Sequence, residues 1–518
     1  MSHSFFFTDI TSTEVKKIIK SLKSRKATND TIPLHIFKQC PDNVISHLTS
    51  ILNDIIFKAT MPNQLKKSKI IPIYKNGSRK DINNYRPISL LSYFDKILEK
   101  SINSRISNFL NTNNLICNNQ FGFRQNHSTE LALLSLLDRV YSSLDNKDWV
   151  MLISIDFRKA FEVINHNILL EKLNYIGIRG MMNKWFQSYL SNRRHQTLVN
   201  TKLSQSLQMK SGVPQGSSLG PLLFLIYIND LQNIFEESEL NIFADDTALI
   251  LRNKNLTELF NVANTKLSLL HEYLQANGIR LNETKTEYMI ISPNRKIPEL
   301  ASDEVVYYDG KKIQKVDCTK LLGVYIDNKL TFKNHIDYLL QKKLRKFVPI
   351  FKQLRHYLTT ENLLKIYHAN VNSYLSYCLM IYHTGNTTAV HKIKLMQRRI
   401  LKVLFRVHSY EVDNHMKRHK ILDIDDSYKL KLLCLGHKMK YDNLNLPAFF
   451  QKIYKNKNVL NLRNKNDFIV AYHRLRISQR NTDYVIPREW NRLPDAIKNI
   501  PSYKHFINAI KEKFLLDK

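Results

Sequence analysis

Leu240-Asn-Ile-Phe-Ala-Asp-Asp-Thr-Ala-Leu-Ile-Leu251 decides how the rest of this chain is read. Two short β runs flank an acidic turn, the pattern of a tight hairpin with Asp245 and Asp246 at its tip. Alone, such a turn is ordinary. Upstream, Trp149-Val-Met-Leu-Ile-Ser-Ile155 is a nearly continuous apolar run, as expected of a strand buried on both faces. It ends at Asp156, so a third carboxylate stands at a strand end, where it would face a cleft.

Three carboxylates at strand ends suit one chemistry in particular. Nucleotidyl transfer asks little covalent work of a protein. It needs two Mg²⁺ ions roughly 4 Å apart, one to activate the attacking oxygen and one to neutralise the leaving oxygen. Mg²⁺ takes few protein carboxylates and fills its shell with water and phosphate oxygens. Two or three Asp residues on adjacent strand ends therefore suffice.

The other elements are read outward from this core. Thr8 or Thr11 is placed to cap a helix with Val15, Ile18, Ile19 and Leu22 on one face. Residues 34–58 give a second helical stretch, broken by Pro62. Lys69-Ile-Ile-Pro-Ile-Tyr74 is a short β-rich run followed by the turn Lys75-Asn-Gly77. Phe94 to Leu110 has a helical period. After Asp156, residues 160–173 read as helix, 198–209 as a hairpin, Pro214-Gln-Gly216 as a loop and 221–231 as a buried helix. Residues 256–277 form an amphipathic helix with Gly278 as its stop. Beyond residue 330 the pattern is mostly helical and basic, as in Lys342–Lys346, Gln397–Lys402 and Met416–Lys420.

Charge supplies an independent clue. Seventy-eight Lys plus Arg against 45 Asp plus Glu leave the 518-residue chain at +33. An excess of that size attracts polyanions, and nucleic acid is the commonest such partner because each neutralised phosphate releases counterions. With 43% hydrophobic residues and only 12 Gly, a large packed core is affordable. The five cysteines are scattered without a C-x-x-C pair, which argues against a zinc knuckle and a disulfide framework and fits a reducing compartment. The longest apolar run, Pro221 to Ile228, is far shorter than a bilayer span, so no membrane partner is expected.

Further blocks surround the carboxylates in order: Asp156-Phe-Arg-Lys-Ala-Phe161, Gly212-Val-Pro-Gln-Gly-Ser-Ser-Leu-Gly-Pro221, Gly278-Ile-Arg-Leu-Asn-Glu-Thr-Lys-Thr286 and Leu321-Leu-Gly-Val-Tyr-Ile-Asp327. Lys69–Lys75, Asn84-Tyr-Arg-Pro-Ile-Ser-Leu-Leu91, Gln120-Phe-Gly-Phe-Arg-Gln-Asn-His-Ser-Thr129 and Pro487-Arg-Glu-Trp-Asn-Arg-Leu-Pro494 extend the series over nearly all of the chain. In order, spacing and flanking residues this resembles the reverse transcriptases of non-LTR (LINE-type) retrotransposons, particularly the jockey-like group.

The resemblance implies an α+β right-hand polymerase, with an antiparallel palm sheet. Its divisions would be an N-terminal helical extension over 1–53, fingers and palm over 54–326, a helical thumb over 327–420 and a basic, mainly helical C-terminal extension over 421–518. It implies an RNA-directed DNA polymerase acting on an RNA template, a DNA primer or RNA–DNA duplex, and dNTPs. Two Mg²⁺ ions would serve as cofactors, with Mn²⁺ able to substitute. Asp156 and Asp245 would bind both ions, with Asp246 as their neighbour, and Lys285 would protonate the leaving pyrophosphate. Lys75 and Arg86 would hold the triphosphate, where a forked guanidinium suits phosphate oxygens. Phe161 would pack under the sugar and exclude a 2′-OH. Gly212, Pro214, Gln215 and Gly216 would touch the template base and incoming nucleotide, and Phe243 would shape the primer end. Arg124 has a more structural character. The basic helices would grip the duplex through its phosphates.

The chain departs from the family pattern at Glu162, where Asp is usual, at Ala27–Pro33, where a Gly-containing loop is usual, and at His383, where Trp is usual. Full-length elements carry an N-terminal endonuclease, and the residues ahead of the fingers blocks are too few for one, so a separate or lost endonuclease is expected. Integration would require an intracellular, nuclear location. Two other readings stay open: a catalytically silent nucleic-acid-binding remnant, against which the intact Asp156, Asp245, Asp246, Phe161 and Lys285 stand, and an RNA-dependent RNA polymerase, against which Phe161 stands.

Overall fold

A computed structural model describes residues 3–22, 32–294, 298–299, 304–451 and 467–516. The Ala27–Pro33 departure lies largely outside them. The chain is a mixed α/β protein that divides into two compact units, each assembled from separated stretches of sequence.

The first unit comprises Met1–Cys117, Phe157–Phe235 and Leu269–Leu281. Its sheet is built on β1 (Lys67–Tyr74) and β2 (Tyr85–Leu90), an antiparallel pair joined by the loop 75–84, which ends in a 3₁₀ turn at Ile82–Asn84. The second unit comprises Asn118–Asp156, Glu236–Ser268 and Asn282–Lys518. Its sheet contains β3 (Trp149–Ile155). Back in the first unit, β4 (Arg194–Val199) lies parallel to β1 on the side away from β2, and the short strands Lys202–Leu203 and Leu207–Gln208 pair with β4.

The sheet of the second unit is completed by β5 (Leu240–Phe243), β6 (Asp246–Asn253) and β7 (Glu287–Ile291). The order β7–β3–β6–β5 is antiparallel throughout, and the two-residue strand Gln314–Lys315 runs parallel to the outer edge of β7. β3 is central because it has no polar face: Val150, Met151, Leu152, Ile153 and Ile155 are each no more than 2% exposed. Burying a side chain of this size contributes roughly 1.5–3 kcal/mol. Val150 and Leu152 join the large apolar core shared with the helix Thr129–Asp145.

Helix signals act as expected at several points. Thr11 Oγ1 accepts the Glu14 N–H at 3.2 Å, so Thr11 rather than Thr8 caps Ser12–Ser21. The helix Leu256–Ala276 stops just before Gly278, whose φ is +64°.

Other expectations are corrected. Residues 34–58 form two helices, Leu34–Lys38 and Asp42–Phe57, because Pro41 interrupts the backbone bonding. The helix expected over 160–173 begins only at His166. Phe157 forms a β-bridge with Leu281, residues 158–162 are turns, and Asn165 caps the helix by accepting from the Asn167 and Ile168 N–H groups. The helix expected over 221–231 runs Gly220–Tyr227 and tightens into a 3₁₀ turn over Asn229–Asn233.

Two helices without an obvious one-sided pattern, Thr129–Asp145 and Gly180–Leu190, are added. The five cysteines are all free, and no described helix is long and apolar enough to cross a membrane.

Candidate active site

The three carboxylates meet at one end of the second unit's sheet. Ile155 of β3 pairs with Thr247 of β6, so the next antiparallel step sets Asp156 across from Asp246. Phe243 pairs with Asp246 to close the β5–β6 hairpin, leaving Ala244 and Asp245 as a two-residue turn. Ala244 is left-handed, with φ +58°, a conformation that costs a residue with a Cβ roughly 1–2 kcal/mol. Strain of this kind persists where neighbours over-determine it, commonly at functional sites.

The neighbours here are Gln120 and Gly122. Gln120 Oε1 accepts the Ala244 N–H at 3.0 Å and the Gly122 N–H at 2.8 Å. A Cβ on Gly122 would stand 2.4 Å from Ala244 N, so only glycine allows this approach.

A second clamp acts on Asp156. Asn282 donates its side-chain amide to Asp156 Oδ2 at 2.8 Å and its backbone N–H to Asp156 O at 2.7 Å. Lys285, on the same turn, brings Nζ to 3.5 Å from Oδ2. Asp156 is 34% exposed and Lys285 61% exposed at the side chain, while Asp245 and Asp246 are exposed. A cavity of about 370 Å³ opens beside Asp246, lined by Phe243, Thr247, Leu321, Leu322, Gly323 and Tyr377 among others. Tyr377 OH donates to Leu322 O at 2.6 Å, and the ring packs over Gly323.

Among the described residues, no group of three or more His, Cys, Asp or Glu side chains converges closely enough to hold a metal ion by itself. A hard dication that takes one or two carboxylates and completes its shell with water and phosphate oxygens does not need one. Asp156, Asp245 and Asp246, hard oxygen donors at one sheet end, fit that kind of ion.

The first unit holds the predicted nucleotide loop. Gly212 has φ +81°, and a Cβ there would meet Glu162 O at 2.6 Å. Gly216 has φ +107°. Between them, Val213 N–H donates to Phe161 O at 2.9 Å, and Gln215 O accepts the Ser89 N–H at 2.7 Å. Gln215 Nε2 donates to Glu162 Oε1 at 3.2 Å. The Asp-to-Glu departure thus places a carboxylate on the glutamine of the loop.

Behind the loop, Glu99 is fully buried. Its carboxylate accepts the Ser218 N–H and the Tyr189 hydroxyl, each at 2.6 Å, and Asn103 donates to Ser218 O at 2.6 Å. Burial holds the Glu99 carboxyl above the usual carboxylate range and, with Glu99 nearby, pushes Asp95 up to about 7. The Phe161 ring packs against Phe224, tilted by 32° with centroids 4.7 Å apart.

Gln215 and Pro214 line a cavity of about 500 Å³ together with Glu162, Tyr85, Pro87 and Ser89 among others. Lys75 and Arg86 do not line it. The lining residues of β2 are Tyr85, Pro87 and Ser89, so Arg86 falls on the opposite face of the sheet. Lys75 lies just past β1, and both are exposed.

His383 is accommodated by a different contact set, bonding Asp425 at 3.0 Å and stacking on Tyr428 with centroids 4.0 Å apart. Arg124 donates to Gln120 O at 3.3 Å, in keeping with a structural part. Sequence reasoning passed over Asn282, Gln120, Gly122 and Glu99 as site residues. The first three lie inside blocks it quoted; Glu99 carried no signal beyond being an acidic residue on an apolar helix.

Residues 73–326 match the family described as reverse transcriptase (RNA-dependent DNA polymerase). The chain is 27% identical over 412 residues to the probable RNA-directed DNA polymerase from transposon BS of Drosophila melanogaster, covering 76% of this chain and 44% of that protein. It is also 27% identical over 430 residues to the RNA-directed DNA polymerase from mobile element jockey of Drosophila melanogaster, covering 80% and 46%. The chain thus spans about half the length of the curated relatives it matches. Among solved structures, apo telomerase from Candida tropicalis aligns with a TM-score of 0.38 at 14% identity, over 77% of this chain and 68% of that one. Residues 73–326 of this chain thus match the reverse transcriptase family, and the wider similarity runs to the polymerases of jockey-type non-LTR mobile elements.

Proposed function

We propose that this chain is the RNA-directed DNA polymerase of a non-LTR retrotransposon, extending a primer with deoxynucleotides along an RNA template. One observation carries the reading: Asp156 directly follows the end of β3, Asp246 opens the antiparallel neighbour β6, whose Thr247 pairs with Ile155, and Asp245 sits between them in a turn whose Ala244 is left-handed. In this reading the β7–β3–β6–β5 sheet is the palm and the β1–β2 hairpin belongs to the fingers. The helices after residue 330 are the thumb and a basic C-terminal extension.

Two divalent ions, Mg²⁺ or Mn²⁺, when bound supply activation of the primer 3′-hydroxyl and neutralisation of the developing phosphate charge. Asp156 and Asp245 hold them, with Asp246 as neighbour. Asn282 and Lys285 both address Asp156 Oδ2, which fixes the carboxylate's orientation. Lys285, being largely exposed, is free to turn to the pyrophosphate and donate a proton to it.

Phe161, braced by Phe224, lies under the sugar and collides with a 2′-hydroxyl. Gln215, aligned by Glu162, and the backbone at Gly212, Pro214 and Gly216 meet the templating base and incoming nucleotide. Lys75 and Arg86 bind the triphosphate from the other face of the β1–β2 hairpin. Phe243, lining the cavity beside Asp246, shapes the primer end. The basic helices hold the template–primer duplex by its phosphates.

The purified chain tests this directly. It should extend oligo(dT) on poly(rA) with dTTP and Mg²⁺ and stop when EDTA is added. Tight binding of the template–primer without any extension would contradict the proposal.

A further inference from the structure

Away from the carboxylates, the second unit holds a cavity of about 390 Å³ lined by Arg355, His356, Lys402, Val403, Arg406 and Val407. It sits where two helices end: Phe347–Leu354 leads into Arg355, and Thr387–Phe405 into Arg406. Basic side chains are favoured at helix C-termini, whose carbonyls carry partial negative charge, and this accounts for part of the charge.

Three features go beyond it. Arg355 Nε is buried without a hydrogen-bond partner among the described residues, and its Nη1 reaches Val403 O at 3.5 Å. No carboxylate lines the cavity; the nearby Glu411 carboxylate accepts the His408 N–H, and Lys402 Nζ donates to Ser409 Oγ at 3.0 Å. The chain leaving the cavity at both helix ends carries exposed aromatic rings. Tyr357, next after His356, is 86% exposed and Tyr410 is 78% exposed. The His408 and Tyr410 rings lie parallel within 4°, with centroids 5.7 Å apart.

A cationic groove flanked by exposed rings is the combination that binds single-stranded nucleic acid, with phosphates on the cations and bases on the rings. The cavity also falls in the roughly 300–1,000 Å³ range of ligand sites. We propose that Arg355, Lys402 and Arg406 bind a backbone phosphate of single-stranded RNA whose neighbouring bases stack on Tyr357 and Tyr410. The identity of the RNA as template rests on the polymerase reading above; the binding site does not. Bases in a duplex are stacked on one another and have no free face for a tyrosine ring, so the site takes unpaired template rather than the template–primer hybrid.

The test uses the full chain and a fluorescein-labelled oligouridylate about 20 nucleotides long, long enough to span such a site. Arg355→Ala should weaken binding about tenfold and lower the slope of log affinity against log salt by about 1. The double variant Tyr357→Ala/Tyr410→Ala should weaken binding about tenfold with the slope unchanged. Affinity for a blunt RNA–DNA hybrid should stay as in the parent chain. Unchanged oligouridylate affinity in either variant would overturn the proposal. So would an equal loss for single strand and hybrid, which would make the cavity a duplex contact. The tyrosine variants change only the surface, so they test the site even where Arg355→Ala disturbs folding. A parent chain that binds oligouridylate in this manner but incorporates no dTTP would overturn the polymerase reading and leave this site standing.

Discussion

Asn282 donates its side-chain amide to Oδ2 of Asp156 at 2.8 Å across 126 residues of sequence. The bond ties the turn that carries Lys285 to the end of the central strand. It also leaves Asp156 with one oriented carboxylate rather than a freely rotating one. Removing such a partner of a metal-binding carboxylate typically costs about 10–100-fold in metal affinity or activity. Asn282→Ala is therefore expected to raise the Mg²⁺ concentration for half-maximal primer extension by about tenfold, with little change in the KM for dTTP. Titration of extension rate against Mg²⁺ checks this, and an unchanged Mg²⁺ dependence would remove Asn282 from the site.

Gly122 presses on Ala244 so closely that a Cβ would stand 2.4 Å from the Ala244 nitrogen. Backbone cannot yield as a flexible side chain does, so Gly122→Ala must move the turn that carries Asp245 and Asp246. We expect a loss of incorporation of about a hundredfold or more, the scale of a displaced catalytic group, while the affinity for template–primer persists. Normal incorporation by Gly122→Ala would show that the turn is not held from this side.

Much of this centre is legible in the sequence, and the reason is local. The strand ending at Asp156 is apolar at nearly every position because it is buried on both faces, and the Asp245–Asp246 turn lies between two short β runs. Both patterns need no tertiary knowledge. The parts that were not legible depend on contacts between distant residues. Gln120 looks like any polar residue until its side chain is seen holding Ala244, 124 residues away. The helix over 129–145 carries Asp138 and Asp145 amid apolar residues. Asp145 accepts the Leu475 N–H and Asp138 the Thr482 N–H, both more than 300 residues away. The error over 160–173 has the same origin: the apolar spacing is helical, but the backbone of residues 161–164 is committed to the loop at Gly212 and Val213.

Phe161 packs against Phe224 with centroids 4.7 Å apart, which restricts the ring proposed to lie under the sugar. Phe161→Val should raise the ratio of ribonucleotide to deoxynucleotide incorporation by about tenfold or more, since a lost steric clash in a pocket is worth about 1–3 kcal/mol. Single-nucleotide extension with UTP and dTTP in competition measures the ratio. An unchanged ratio would count against Phe161 as the sugar gate.

Asp138 receives the Thr482 N–H at 3.1 Å and the Thr482 hydroxyl. Burial, with a smaller contribution from Asp483, pushes its carboxyl up to about 8 from the usual 3.8. A carboxyl raised in the folded state stabilises the protein fully below the unfolded value, and that stability drains away as pH rises towards 8. The Tm of the parent chain should therefore fall between pH 6 and pH 8.5 by about 3 °C or more. Asp138→Asn, which mimics the protonated acid in shape and hydrogen bonding, should show a flatter profile. Parallel pH profiles for the two proteins would contradict a neutral Asp138 at the junction with the C-terminal segment.

Asp156, Asp245 and Asp246 are proposed to form one metal-dependent polymerising centre. Asp245→Asn is its sharpest probe, because Asp245 is exposed in a turn and its amide is nearly isosteric. The measurement is dTTP incorporation on poly(rA)/oligo(dT) with Mg²⁺, run beside template–primer affinity and thermal melting. Incorporation should be abolished while affinity and melting stay as in the parent chain. Incorporation at the parent rate would show that the reaction does not run through Asp245.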